Sequence, residues 1–188
     1  TTVRGLTYVY TNGEAIYSMT PVFRVIGGGR IADTIPVPAV IFVVIILISF
    51  VILNKTLIGR YIYAVGDNVE AARLSGIKVE RINIFVYLVS GILAGIAAVV
   101  LTSRLNAAEP IAGIGWELDA VAAVIIGGTS LRGGKGGVWG TVLGLLIIGV
   151  VSNGLNLLNV STYYQSFVKG LIILFAVIAD KIREYERD

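Results

Sequence analysis

VPAVIFVVIILISFVIL, residues 37–53, runs for seventeen residues without a charge. Pro36 and Pro38 open it, and proline suits the first turn of a helix, where a missing N–H costs nothing. As a helix the run rises about 25 Å, a little short of a ~30 Å hydrocarbon core, and Lys55 can snorkel across the difference. β-branched residues dominate, which in water would favour a strand. Length and unbroken hydrophobicity decide for a membrane-spanning helix.

The whole chain carries the same signature. Its 188 residues are 56% hydrophobic and 14% charged, with mean hydropathy +0.86. Soluble domains carry about a quarter charged residues, so these apolar side chains exceed what one soluble core can hide. The net charge of +3 comes without a basic stripe and interleaved aromatics, which excludes nucleic acid as a partner. Cysteine and histidine are both absent. Disulfides, thiol nucleophiles, imidazole bases and most zinc sites go with them.

Further spans are expected at Ile82–Leu101, Val138–Leu158 and Tyr163–Ala179. Gly91-x-x-x-Gly95, with Ser90, Ala94, Ala97 and Ala98, reads as a close-packing face, as do Gly136, Gly140 and Gly144. Leu118–Gly128 is apolar but short. Residues 1–35 are mixed: Val3–Tyr10 fits the tail of a span begun upstream, Asn12-Gly13 marks a turn, and Gly27–Gly29 reads as a plain loop. The chain starts at Thr1 without an initiator methionine or a signal-peptide pattern, so a missing N-terminal portion is expected.

Between the first two spans lies the longest polar interval, Asn54–Arg81. It holds Lys55, Arg60, Arg73, Lys78 and Arg81, and basic residues accumulate in cytoplasmic loops. The tail holds Lys181, Arg183 and Arg187 and belongs on the same side. Same-side segments are joined by an even number of crossings, so a short or broken crossing at Ala112–Thr129 is required; were Leu118–Gly128 re-entrant instead, the tail would lie outside, against its charges. The crossing places Arg132 and Lys135 inside and Glu109, Glu117 and Asp119 near the outer face. Arg4, Arg24 and Arg30 then fall outside, against the charge rule. The expected architecture is all-α, a polytopic membrane helix bundle with about five crossings, one of them short or broken. Residues 1–188 form one transmembrane domain, with 54–81 a cytoplasmic loop inside it.

Chemistry is sparse. A Walker A loop needs G-x-x-x-x-G-K-[ST]; around Gly134-Lys135 the chain has Thr129 and Gly136 at two defined positions, so Gly127–Gly137 reads as a tight turn between packed spans. Any ATP chemistry then belongs to another chain. Glu109, Glu117 and Asp119 lack a histidine or cysteine partner and read as a solvated rim. No catalytic residue, metal site or cofactor is expected. Asn153 and Asn156 share a face of an apolar span. Two readings stay open for them: lining of a path for a hydroxylated solute, or an interhelical hydrogen bond. Lys169 suggests snorkelling to the outer interface, and Tyr163 and Tyr164 fit an aromatic belt. Asp67–Ile77 reads as a short helix bracketed by Gly66 and Gly76, with small Ala71 and Ala72 suiting it to another protein's groove.

Three segments carry a resemblance. GRYIYAVGDNVEAARLSGIKVERI (59–82), LTSRLNAAEPIAGIGWELDAVAAVIIGGTSLRGGKGGVWGT (101–141) and SNGLNLLNVSTYYQSFVKGLII (152–173) closely resemble the permease subunit of bacterial ATP-binding cassette importers of the ribose, galactose and xylose type. The likeness covers the chain from about Pro36 onward, extends more loosely to Thr1, and fits the C-terminal portion of such a permease. It implies a multi-pass protein of the bacterial inner membrane, with the 54–81 loop and the C-terminus cytoplasmic. It also implies a cytoplasmic ATP-binding subunit holding ATP and magnesium, an extracytoplasmic sugar-binding protein and a second permease copy, identical or not. Glu70-Ala71-Ala72-x-x-x-Gly76 is similar to the EAA---G core of permease coupling loops, which implies an ATPase-coupling role for Asn68, Glu70, Ala71, Ala72, Arg73, Ser75 and Gly76. No sugar-contact residue is carried over. The rival readings are a related permease for branched-chain amino acids or nucleosides, an intramembrane enzyme, and a channel or structural membrane protein.

Overall fold

The computed structural model describes residues 2–185; Arg187, in the charged tail, lies outside them. Helices dominate: α1 (Thr2–Thr11), α2 (Pro21–Gly28), α3 (Val37–Lys55), α4 (Leu57–Asp67), α5 (Val69–Leu74), α6 (Val79–Leu105), α7 (Trp116–Ile126), α8 (Val138–Leu157) and α9 (Thr162–Tyr185). Among the described residues, four two-residue strands form two minimal antiparallel pairs. Among the described residues, α3, α6 and α8 are long and apolar enough to cross a membrane. The chain is an all-α, multi-pass membrane protein. In lipid every backbone N–H and C=O must be satisfied within the segment, so β-branched α3 is a helix despite its composition. At 24 residues α9 rises about 36 Å, and α7, at 11, only about 16 Å. The expected short element at Ala112–Thr129 is therefore a helix of three turns that does not span a bilayer by itself.

The chain divides into two compact units. The first contains residues 1–49 and 80–114. Here α2 is held on α6 by Ser103, whose buried hydroxyl donates to the Phe23 carbonyl at 2.6 Å and accepts from the Gly27 N–H at 2.6 Å. Gly27 is buried, and a Cβ there would stand 2.6 Å from the Val100 carbonyl oxygen. The expected loop at Gly27–Gly29 is thus a helix end pressed against another helix. Strand β1 (Ile16–Tyr17) pairs with β4 (Ala107–Ala108), and β2 (Arg30–Ile31) with β3 (Ile35–Pro36). Among the described residues a Cβ added to Gly91 or Gly95 would meet nothing within 4 Å, so their expected close-packing face has no partner there.

The second unit contains residues 50–79 and 115–188. Its core is Ala122, Ala123 and Ile148, with Ile126, Ile172 and Ile173 packed around it. Small residues decide this packing: Cβ atoms on Gly140 and Gly144 would collide with the carbonyls of Gly127 and Ala123, so α7 and α8 touch backbone to backbone. Gly140 and Gly144 therefore do what their spacing predicts, and Gly136 instead faces Thr129. Lys169 has a partner within the protein. Its Nζ lies 2.7 Å from Asp119 Oδ2, tying α9 to α7, and Asp119 is a half-buried partner instead of a solvated rim residue. An apolar helix environment makes an ion pair preferable to two lone charges.

Candidate functional site

The polar interval between α3 and α6 is mostly helical, and its local chemistry explains why. Thr56 stops α3 and starts α4: its hydroxyl donates to the Ile52 carbonyl at 2.6 Å and accepts from the Gly59 N–H at 3.3 Å. Buried Gly59 lets α4 fold tightly back, since a Cβ would stand 2.6 Å from the Leu53 carbonyl carbon. Asn68 then serves two helices. Its N–H donates to the Ala64 carbonyl at 3.1 Å, closing α4. Its Oδ1 accepts from the N–H groups of Glu70 and Ala71 at 3.0 and 2.9 Å, opening α5. An asparagine N-cap satisfies donors that a helix's first turn leaves unpaired.

The other end of α5 is equally defined. The Ile77 N–H donates to the Ala72 carbonyl and the Gly76 N–H to the Arg73 carbonyl, at 3.1 and 3.0 Å. This is a Schellman ending, with Gly76 in the left-handed region at φ +83°. Ser75 Oγ adds a bond to the Ala71 carbonyl at 2.9 Å. The expected helix Asp67–Ile77 is thus six residues, Val69–Leu74, because Asn68 caps it and Gly76 ends it. Asp67 belongs to α4.

All seven residues assigned to coupling fall on α5 or its caps. Ala72 is buried, while Asn68, Glu70, Ala71, Arg73, Ser75 and Gly76 are exposed. Leu74 projects at 85% exposure and Val69 at 50%, so the outward face carries apolar relief as well as charge. Asn153 and Asn156 lie apart from α5, exposed on α8. Asn156 Oδ1 accepts from Gln165 Nε2 of α9 at 2.9 Å.

A second contact is not legible in the pattern. The turn between α7 and α8 sits directly on the C-terminal end of α4. A Cβ on Gly66 would stand 2.7 Å from the Gly134 nitrogen, and one on Gly134 would stand 2.7 Å from Asp67 Cβ. Tyr63 Oη donates to the Gly136 carbonyl at 3.1 Å.

Comparison with known proteins bears on what such an arrangement serves. The profile of the family described as "branched-chain amino acid transport system / permease component" matches residues 1–177. The chain belongs to this permease family. It is 50% identical over 184 residues to the ribose import permease protein RbsC of Haemophilus influenzae, covering 96% of this chain and 57% of that protein. Against RbsC of Bacillus subtilis the identity is 50% over 183 residues, 96% and 56% of the two chains. Against the D-allose transport system permease protein AlsC of Escherichia coli it is 43% over 179 residues, 95% and 55%. The chain spans a little over half the length of these relatives. No solved structure matches it. The permease family and the long apolar helices agree with the resemblance read from residues 59–82, 101–141 and 152–173.

Proposed function

We propose that this chain is part of the membrane-spanning subunit of an ATP-driven monosaccharide importer. It forms part of the translocation path and couples that path to a separate ATP-hydrolysing subunit through α5. One observation carries the reading: in a member of a permease family, a short helix capped at both ends turns six of its seven candidate positions outward. A capped helix keeps its shape when pushed, so movement of a docked partner becomes movement of the attached helices.

Monosaccharide is favoured over branched-chain amino acid because RbsC and AlsC are named for ribose and D-allose. The proposed setting is the bacterial inner membrane, with residues 54–81 and the C-terminus cytoplasmic. The contact of Gly66 with Gly134 supports that placement, because it brings the turn that carries Arg132 and Lys135 onto α4, within the 54–79 part of the basic segment. ATP and magnesium are held by the partner subunit, an extracytoplasmic binding protein delivers the sugar, and a second permease copy completes the path. Asn153 and Asn156 are proposed as path-lining groups, with Gln165 fixing the orientation of the Asn156 amide.

The test uses the full-length permease with its partner subunits in proteoliposomes. Labelled ribose should accumulate on ATP addition and labelled leucine should not; Glu70→Lys should abolish accumulation while the protein still inserts. Accumulation of leucine alone, or normal transport by Glu70→Lys, overturns the reading.

A further inference from the structure

The coupling helix α5 is not connected to the membrane helices only through the covalent chain. Asn68 joins it rigidly to α4, and the last turn of α4 abuts the α7–α8 turn with no side chain between the two backbones. Gly66 meets Gly134, and a Cβ on Gly133 would stand 3.0 Å from the Gly66 carbonyl carbon. Gly133 and Gly134 adopt φ values of +93° and +70°, which aim the turn at α4 and which other residues rarely adopt. The turn is braced from within: the Ser130 N–H donates to the Lys135 carbonyl at 3.0 Å and the Gly133 N–H to the Ser130 carbonyl at 3.2 Å. Beyond it, α7 and α8 are again in backbone contact at Gly127–Gly140 and Ala123–Gly144.

These contacts form one series of close-packed backbones from α5 to the α7–α8 pair. Long side chains absorb displacement by changing rotamer, whereas abutting backbones have no such freedom and transmit strain. We infer that the Gly66–Gly133–Gly134 junction is a second coupling element, which delivers the displacement of α5 directly to α7 and α8. Gly66, Gly133, Gly134 and Tyr63 are positioning residues in it; they act through the helices and touch neither solute nor nucleotide. This rests on the reading of α5 as the docking helix for an ATP-hydrolysing subunit. Spatial adjacency alone does not establish coupling, so the junction must be perturbed without disturbing docking.

Gly66→Ala does this. Position 66 is helical, so alanine is tolerated locally, and its methyl enters the space occupied by the Gly134 nitrogen. The full-length permease is purified with its ATPase subunit and reconstituted, and three quantities are read: subunit ratio, ATP hydrolysis, and solute taken up per ATP hydrolysed. The expected result is an unchanged subunit ratio with uptake per ATP lowered about ten-fold, inside the 5–150-fold range of coupling free energies. Gly137→Ala, in the same turn but facing open space, should match the parent. Wild-type uptake per ATP in assembled Gly66→Ala overturns the inference. If Gly66→Ala fails to accumulate in the membrane, Tyr63→Phe decides by the same readout: it removes only the bond to Gly136, should lower uptake per ATP measurably, and overturns the inference if it does not. Absence of the ATPase subunit from the parent complex would instead refute the docking role of α5.

Discussion

Replacing Asn68 by alanine should loosen α5 while leaving the spans in place. Oδ1 of Asn68 satisfies two N–H groups, those of Glu70 and Ala71, at 3.0 and 2.9 Å. An N-cap of this kind contributes roughly 0.5–2 kcal/mol, typically about 1. A six-residue helix has no reserve against that loss, because nucleation is costly and isolated helices shorter than about 12 residues are marginal in water. About 1 kcal/mol shifts the local equilibrium roughly five-fold. Amide hydrogen exchange across residues 70–77 should therefore quicken by about that factor in Asn68→Ala. The amides of α8 should not change, since that helix satisfies its own backbone and does not depend on this cap. Asn68→Asp keeps an acceptor at the N-terminus of α5 and should restore protection. Unchanged exchange in Asn68→Ala, or equal loss in Asn68→Asp, refutes the assignment of α5 as a cap-dependent helix.

Gly144→Ala should separate α7 from α8, because its methyl meets the Ala123 carbonyl; a loss of about 1–3 kcal/mol should appear as a lower thermal midpoint in detergent, whereas Gly91→Ala, facing open space, should leave it unchanged. Lys169→Met leaves Asp119 without its partner at a site where each side chain is about a quarter exposed, 26% and 24%. The cost should be about 1–3 kcal/mol, below the 3–5 of fully buried pairs, and Lys169→Met/Asp119→Leu should recover most of it in a double-mutant cycle. Ser103→Ala removes the hydroxyl that serves both Phe23 and Gly27 and should cost about 1–3 kcal/mol, read by protease sensitivity of residues 21–29.

The spans are legible because lipid imposes one rule on every residue in them. The starts of α3 and α8, at Val37 and Val138, coincide with the hydropathy reading, while α6 begins at Val79, ahead of the expected Ile82, and α9 is not among the helices apolar enough to cross a membrane among the described residues. What local pattern hides is set by distant partners. The Thr20-Pro21 start of α2 is a helix signal, yet Gly27–Gly29 masks it, and the bond that fixes the helix comes from Ser103, 76 positions later. The Lys169–Asp119 ion pair is hidden because its members lie 50 positions apart. Identical spacing has opposite outcomes: Gly140 and Gly144 meet α7 or its C-cap, while Gly91 and Gly95 meet nothing among the described residues. Glycine spacing marks a face able to pack closely, and the partner is decided elsewhere. At the candidate site the sequence points to the helix now seen as α5, with bounds that are too wide. Gly66 reads as a bracket before that helix, whereas it lies inside α4 and is used for backbone contact with the turn.

The proposed docking of α5 on an ATP-hydrolysing subunit in the cytoplasm can be read out at Leu74. This chain has no cysteine, so Leu74→Cys places a single thiol in it at the most outward apolar position of α5. A photoactivatable cross-linker on that thiol, in membranes holding the full-length permease and its partners, should yield an adduct with the ATP-binding subunit. A membrane-impermeant thiol reagent should label the site in inverted vesicles and not in intact cells. Labelling from outside intact cells, or cross-linking that never includes the ATP-binding subunit, would contradict the proposal.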